Sequence, residues 1–338
     1  MKVLSVIIPT YNMEKYLRKC LDSLIISENM DYMEVLVIND GSSDKSSEIA
    51  HNYEKKYPLT FRVIDKENGH YGSCVNIGLA EAKGKYVKIL DADDWFDTLA
   101  LDDYLRFLMT TDVDMVLTDY NIVNQKGKIK RQMTFNLPKE KNLNVDDYCS
   151  GEEFTKLQMH AVTYKRDKLI DNEYNQTEGV PYTDQEWIFL PVTFVDTFCY
   201  IQVCLYQYLV GREGQSMDPN ASGIFRKDSF NLFFKRVNIY NNFVSNSANN
   251  SKQAYLKRRL LKTAIRHYRN GIVLRKTSIE LMEYFDTNLK KMNPLIYEDV
   301  LNCRDRCLFG LGYISYWRTH KKPSALIYLV GCIINIVK

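Results

Sequence analysis

Up to about Asp119 the chain repeats one unit: a short, continuously apolar run, a polar loop, then an amphipathic stretch. Val3 to Ile8 is β-branched and leucine-rich, does not alternate, and stops at Pro9. Such a run marks a strand buried on both faces. Glu34 to Ile38, Phe61 to Ile64, Tyr86 to Leu90 and Val113 to Thr118 repeat it. Between them, Leu17, Leu21, Leu24 and Ile25 share a helical face behind an expected Asn12 cap. Ile49, Tyr53 and Tyr57 mark a second helix, capped by Ser42 or Ser43, and Gly72 to Ala82 a third, stopped by Gly84. Strand and helix in alternation predict an α/β fold with a mainly parallel sheet, helices covering both faces. Every loop leaving the carboxyl end of a strand then lies on one edge. Tyr11, Asp40, Asn68 and Asp91 are therefore expected to converge there.

The fourth run ends abruptly in Asp91-Ala92-Asp93-Asp94-Trp95. Three carboxylates so close repel one another and need compensation. A hard divalent cation that also holds phosphate oxygens supplies it. A solvated turn is the plainer reading of such a short pattern. Asp94 reads as the cap of a helix around Leu99 to Leu108.

Composition excludes little on its own. The chain has 338 residues and a net charge of +3, which argues for no polyanion partner. Its eight cysteines are scattered. Cys303 and Cys307, the only close pair, lack zinc-site spacing, so free thiols in a reducing compartment are expected. No signal peptide is recognisable at Met1-Lys2, and a cytoplasmic location is expected. No G-x-G-x-x-G follows the first strand, which argues against a dinucleotide cofactor. Gly78 to Lys85 imitates a phosphate-binding loop, but its spacing is one residue too long and it sits at a helix end.

The ordered set Ser5 to Asn12, Val37 to Asp44, Glu67-Asn68-Gly69, Asn76 to Ala80, Gly84-Lys85-Tyr86 and Asp91 to Trp95 resembles a family 2 glycosyltransferase. The likeness is strong over about the first 100 residues and continues weakly to about Ser216. It implies a GT-A fold, a nucleotide-sugar donor, Mg²⁺ or Mn²⁺, and inversion at the anomeric carbon. It implies that Pro9, Thr10, Tyr11, Asp40, Asn68, Gly69, Asp91 and Ala92 form the donor side. Tyr11 would stack on the base and Asp40 accept from its N–H. Asp93, with Asp91, would ligate the metal. One departure is Val75, where many relatives carry arginine before the asparagine. His70, or the backbone N–H groups of Gly72 and Ser73, would substitute. Uridine is the expected base.

Later segments supply the acceptor side. Pro181 to Trp187 resembles the family's acidic motif, with Thr183 where an acidic residue is common. Asp184 matches the general base, and Glu186 is its rival. His160, before an expected strand Ala161 to Lys165, is either structural or a site residue. Arg212 and Ser216, in a glycine-rich loop, are candidates to clamp the diphosphate.

The expected organisation is a GT-A domain over 1–218, with a nucleotide half 1–119 and an acceptor half 120–218. A helical region over 219–338 follows, the boundary falling in the Pro219-Asn220-Ser222-Gly223 cluster. Lys252 to Lys276 is basic, lacks acidic residues and is amphipathic; Ser324 to Val337 is apolar but too short to span a bilayer. Together they predict peripheral contact with the inner face of a membrane and a glycan or lipid-linked acceptor. Nucleic acid is not an expected partner, because no recognition module accompanies the charge. Two rivals remain at this level: a non-catalytic nucleotide-sugar-binding subunit, and a nucleotidyltransferase. The second needs a Gly- and Arg-rich loop where Pro9-Thr10-Tyr11-Asn12 stands.

Overall fold

Strands β1 (Leu4–Thr10) and β2 (Met33–Asp40) are buried along their whole length. Unbroken apolar runs demand this of strands covered on both faces. In chain order the first half reads β1, α1 (Leu17–Asp22), β2, α2 (Ser46–Lys56), β3 (Phe61–Lys66), α3 (His70–Glu81) and β4 (Tyr86–Ile89). These four strands are mutually parallel in the order β3-β2-β1-β4. The computed structural model describes residues 1–26, 28–181, 183–212, 226–302 and 312–337. It divides into two units, Met1–Ala221 and Ser222–Lys338. The boundary expected near 218–223 lies outside the described residues, as do Ser216, Cys303 and Cys307.

The short β5 (Trp95–Phe96) and α4 (Thr98–Thr110) follow, then β6 (Met115–Asn124) and β7 (Ile129–Met133), which pair as an antiparallel hairpin. Next come β8 (Leu143–Asn144), α5 (Val145–Tyr148), α6 (Glu152–Thr155), β9 (Val162–Lys165), α7 (Arg166–Ile170), α8 (Asp184–Trp187) and β10 (Thr197–Val210). β9 lies between β4 and β6 and runs antiparallel to both, so the sheet as a whole is mixed. The six described cysteines are free.

Three caps differ from expectation. Asn12 adopts a left-handed backbone, φ 53°, and does not cap α1. Its Oδ1 instead accepts from the backbone N–H groups of Ser43 (2.8 Å) and Asp44 (3.4 Å). Ser42 Oγ accepts in return from the Asn12 N–H at 3.0 Å. Neither Ser42 nor Ser43 caps α2; Asp44 Oδ1 accepts from the Ser46 N–H there. These polar side chains lock the loop after β1 to the loop after β2, two loops that border the site. Likewise Asp97, not Asp94, caps α4, accepting from the Ala100 N–H at 3.0 Å.

The second unit holds α9 (Arg226–Asn246), α10 (Asn250–Tyr268), a π-helical turn (Arg269–Val273), α11 (Ile279–Met292), α12 (Pro294–Asn302), α13 (Tyr313–His320) and α14 (Ala325–Val337). Phe230, Phe233, Phe234, His267 and Phe285 form its aromatic centre. The apolar face of α10 is spent inside this unit: Tyr255, Leu256, Leu260, Ala264 and Tyr268 are buried, with Lys252, Arg259 and His267. A membrane cannot also use that face. Beyond its first residue, Asn250, α10 exposes the row Arg258, Lys262 and Arg266. On α14, by contrast, Leu326, Tyr328, Leu329 and Ile333 remain about half exposed. No described helix is long and apolar enough to cross a membrane.

Candidate active site

β2 lies on one side of β1 and β4 on the other, so the sheet order reverses at β1. Ligands of open α/β sheets bind outside the strand carboxyl ends at such a point. A cleft of about 280 Å³ opens there, bordered by Pro9, Thr10 and Tyr11 after β1, Asp40 after β2, and Asp91, Ala92 and Asp93 after β4. The expected convergence of Tyr11, Asp40, Asn68 and Asp91 is present.

The cleft floor carries more carboxylates than cations. Asp91 Oδ1 accepts from the Tyr71 hydroxyl at 2.8 Å. The Asp91 N–H donates to the Tyr206 hydroxyl, which donates to Asp94 Oδ2 at 2.7 Å. Asp94 Oδ1 accepts from the Leu209 N–H at 2.7 Å. Asp93 pairs with the Arg212 guanidinium, which also lies over the Tyr16 ring. Burial, then Asp93, pushes Asp91 up to about 7. Burial, then Asp93 and Asp91, pushes Asp94 well above the carboxylate range.

His160 completes this floor from a 3₁₀ turn just before β9. Its ring is stacked on Tyr208 at 4.3 Å and meets Tyr206 edge-on at 4.7 Å. Burial, then nearby Lys88, pushes it down to about 3, so it is neutral and able to offer a lone pair. Its buried Nδ1 has no hydrogen-bond partner among the described residues. Ligand atoms of Asp91, Asp94 and His160 lie within 4.8 Å of one another. Two carboxylates and a neutral imidazole suit a divalent ion, and the orphaned nitrogen and unrelieved repulsion both fit one. Asp93, expected as a ligand with Asp91, faces Arg212, and the group that converges among the described residues is Asp91, Asp94 and His160. Arg212, expected at the diphosphate, is held by the same pair.

On the donor side, Thr10 Oγ1 donates to the Ile8 carbonyl, and Tyr11 is half exposed at the rim. Asp40 is buried; its Oδ1 accepts from Lys66 Nζ at 2.6 Å and from the Gly69 N–H at 2.9 Å. Asn68 Nδ2 donates to the Asp40 carbonyl. Lys66 thus brings positive charge to the loop after β2, where the resemblance left it to His70 or the N–H groups of Gly72 and Ser73. His70 does line the cleft, but Gly72 serves packing: a Cβ there would lie 2.0 Å from the Thr177 carbonyl oxygen.

On the opposite side, Asp184 opens α8 and lines the cleft, near enough to help raise both Asp91 and Tyr71. Glu186 does not reach the cleft. It is buried and its two oxygens accept from the N–H and hydroxyl of Thr177, each at 2.7 Å. It is held at Thr177, away from the residues that line the cleft. Tyr71, Lys66, Tyr206 and Tyr208 escaped the sequence reading. For the last two a signal existed: they alternate on β10, and period two puts both on one face.

Residues 5–170 match the family model described as glycosyl transferase family 2. That segment, about half of the chain, belongs to glycosyl transferase family 2. Asp184 lies beyond the segment matched to the family 2 model. Among curated proteins of this family, the putative glycosyltransferase EpsH of Bacillus subtilis is 36% identical over 119 residues, covering 34% of this chain and 33% of EpsH. The poly(ribitol-phosphate) beta-N-acetylglucosaminyltransferase TarS of Staphylococcus aureus is 27% identical over 214 residues, 63% of this chain and 36% of TarS. The chain thus spans about a third of either relative. A crystal structure of S. aureus TarS 1–349 with UDP-GlcNAc superposes with a TM-score of 0.69 at 20% identity, covering 100% of this chain and 93% of that one. The mannosyltransferase PcManGT of Pyrobaculum calidifontis, solved with GDP-Man and Mn²⁺, gives a TM-score of 0.51 at 16% identity, covering 88% and 82%. These likenesses establish the GT-A fold with a helical C-terminal region.

Proposed function

We propose that this chain is a divalent-metal-dependent, inverting glycosyltransferase. It moves a hexose or N-acetylhexosamine from a uridine-diphosphate donor to a hydroxyl of a glycan or lipid-linked acceptor in cell-surface polysaccharide synthesis. The observation that carries this reading is the meeting, in one cleft, of the carboxylate-rich Asp91/Asp94/His160 floor with the Asp184 carboxylate. TarS solved with UDP-GlcNAc supports the donor class, and PcManGT solved with Mn²⁺ supports the metal.

Asp184 takes the proton of the acceptor hydroxyl as its oxygen attacks the anomeric carbon and the bond to the diphosphate breaks. The Tyr11 face packs on the base, while Asp40, held by Lys66 and Gly69, accepts from it. A divalent ion on Asp91, Asp94 and His160 would offset the charge that develops on the departing diphosphate. Tyr71 and Tyr206 orient those carboxylates by hydrogen bonds. The half-exposed α14 face, with Arg275 lying over Tyr328 and with Lys321 and Lys322 just before it, supports attachment at the cytoplasmic face of an anionic membrane.

The test is UDP release from UDP-GlcNAc, water standing in for the acceptor. Release should require Mn²⁺ or Mg²⁺ and stop in EDTA. Asp184→Asn should lower kcat by about 10²-fold or more with donor affinity retained, the usual scale for loss of a general base. Equal release in EDTA would remove the metal from the account.

A further inference from the structure

Asn76 belongs to the sequence signature yet does not line the cleft. It sits on α3 and grips a distant backbone. Its Oδ1 accepts from the Gln176 N–H at 2.8 Å, and its Nδ2 donates to the Gln176 carbonyl at 3.0 Å and to Glu178 Oε1 at 2.7 Å. The next residue, Thr177, is held by Glu186 through the two 2.7 Å bonds already described. Thr183 Oγ1 donates to Gln176 Oε1 at 3.1 Å. The Gly179 N–H donates to the Gly69 carbonyl at 3.0 Å. Gly72, lacking a side chain, lets Thr177 lie directly on α3. Residues 176–179 belong to no helix or strand, so these contacts fix their path. Thr183 and Glu186 bracket Asp184, and both are tied to this one segment.

We infer that Asn76 and Glu186 are positioning residues: acting through 176–178, they set where the Asp184 carboxylate stands over the cleft floor. The inference rests on Asp184 being the base of the proposed reaction. A displacement of about 1 Å at a reacting group costs on the order of 10²-fold in rate, and short hydrogen bonds to an ionised acceptor are the stronger kind. Glutamine at 186 can reproduce the grip. Its Oε1 accepts from the Thr177 N–H and its amide donates to Thr177 Oγ1. Positioning therefore survives Glu186→Gln, whereas proton abstraction by residue 186 would not.

The experiment measures UDP release from UDP-GlcNAc with Mn²⁺, donor KM and melting temperature in Asn76→Ala, Glu186→Ala, Glu186→Gln, Thr177→Val and Asp184→Asn. Asn76→Ala and Glu186→Ala should lose about tenfold or more in kcat with donor KM within about twofold. Glu186→Gln should keep kcat within about threefold of wild type. The double alanine variant should lose less than the product of the single losses, because both act through one segment. Thr177→Val removes one hydroxyl at constant volume, so it reads the grip even if an alanine variant does not fold; its kcat should fall with KM retained. Two results overturn the inference: Glu186→Gln as inactive as Glu186→Ala, or Asn76→Ala and Thr177→Val with lowered melting temperature and unchanged kcat. Full activity in Asp184→Asn would instead remove the base reading, a separate failure.

Discussion

Asp94 in the first unit and Asp286 in the second are both buried carboxylates, compensated in different ways. Asp286 accepts from the Tyr268 hydroxyl at 2.6 Å and from Arg318 Nε at 2.9 Å, and the Arg318 guanidinium lies 3.4 Å from the centre of the Tyr297 ring. There a negative charge meets a positive one inside the fold. The hydrogen bonds to Asp94 come from neutral donors, and two more carboxylates crowd it. A matched buried pair is what a scaffold tolerates. A cluster short of positive charge is tolerated only where something else brings the charge, and such perturbed groups gather at functional sites.

The largest effects should separate these two carboxylates by sign. Arg318→Met leaves buried Asp286 with only the more distant Lys321, at 3.8 Å, and should destabilise the second unit by up to about 3–5 kcal/mol in denaturant titrations. UDP-GlcNAc affinity at low temperature should be unchanged. Asp94→Asn removes a repelled charge and should leave metal-free stability equal or higher while abolishing metal-dependent donor binding. If both variants destabilise alike, Asp94 is structural and the contrast fails.

This difference was only half legible in the sequence. Continuous runs such as Val3 to Ile8 report burial locally, so the parallel strands and the convergence of their loops could be read directly. The three aspartates were legible as a cluster because they are adjacent. Their partners were not: Tyr206 and Leu209 reach Asp94, and Arg212 reaches Asp93, across more than a hundred residues. Residue type likewise could not say which way a short helix turns. Asp184 and Glu186 differ by two positions, and only the packing of α8 sends one to the cleft and the other to Thr177. The basic segment of α10 misled for a related reason: amphipathicity predicts that a face is covered, not by what.

A smaller effect tests the surface of the second unit. Full-length protein should co-sediment with anionic vesicles at low salt and partly release at high salt, where the Debye length falls to about 3 Å near 1 M and exposed charge is screened. Leu326→Glu with Leu329→Glu should remove most of this binding. Arg258→Glu with Lys262→Glu should change mainly its salt dependence. Binding unaffected by the α14 pair would return that helix to a scaffold role.

The smallest effect concerns an exposed charge group in the first unit. His51 bonds Asp65 at 2.7 Å and Glu54 at 2.8 Å, and these partners, Asp65 foremost, raise its pKa above the ordinary 6.5. With the folded value raised, its stabilisation is complete below the unfolded value and is lost as pH rises through the folded one. The melting-temperature gap between wild type and His51→Gln should therefore shrink as pH rises from below the ordinary 6.5 through the raised folded value. Because the ring is half exposed, the gap should be small throughout.

The most direct test is calorimetric titration of Mn²⁺ into the protein with UDP present, in wild type and in Asp91→Asn, Asp94→Asn and His160→Ala. The account predicts one ion per chain in the wild type and affinity lowered by about tenfold or more in each variant, the scale on which perturbing a metal site acts. Unchanged Mn²⁺ affinity in all three variants would contradict it.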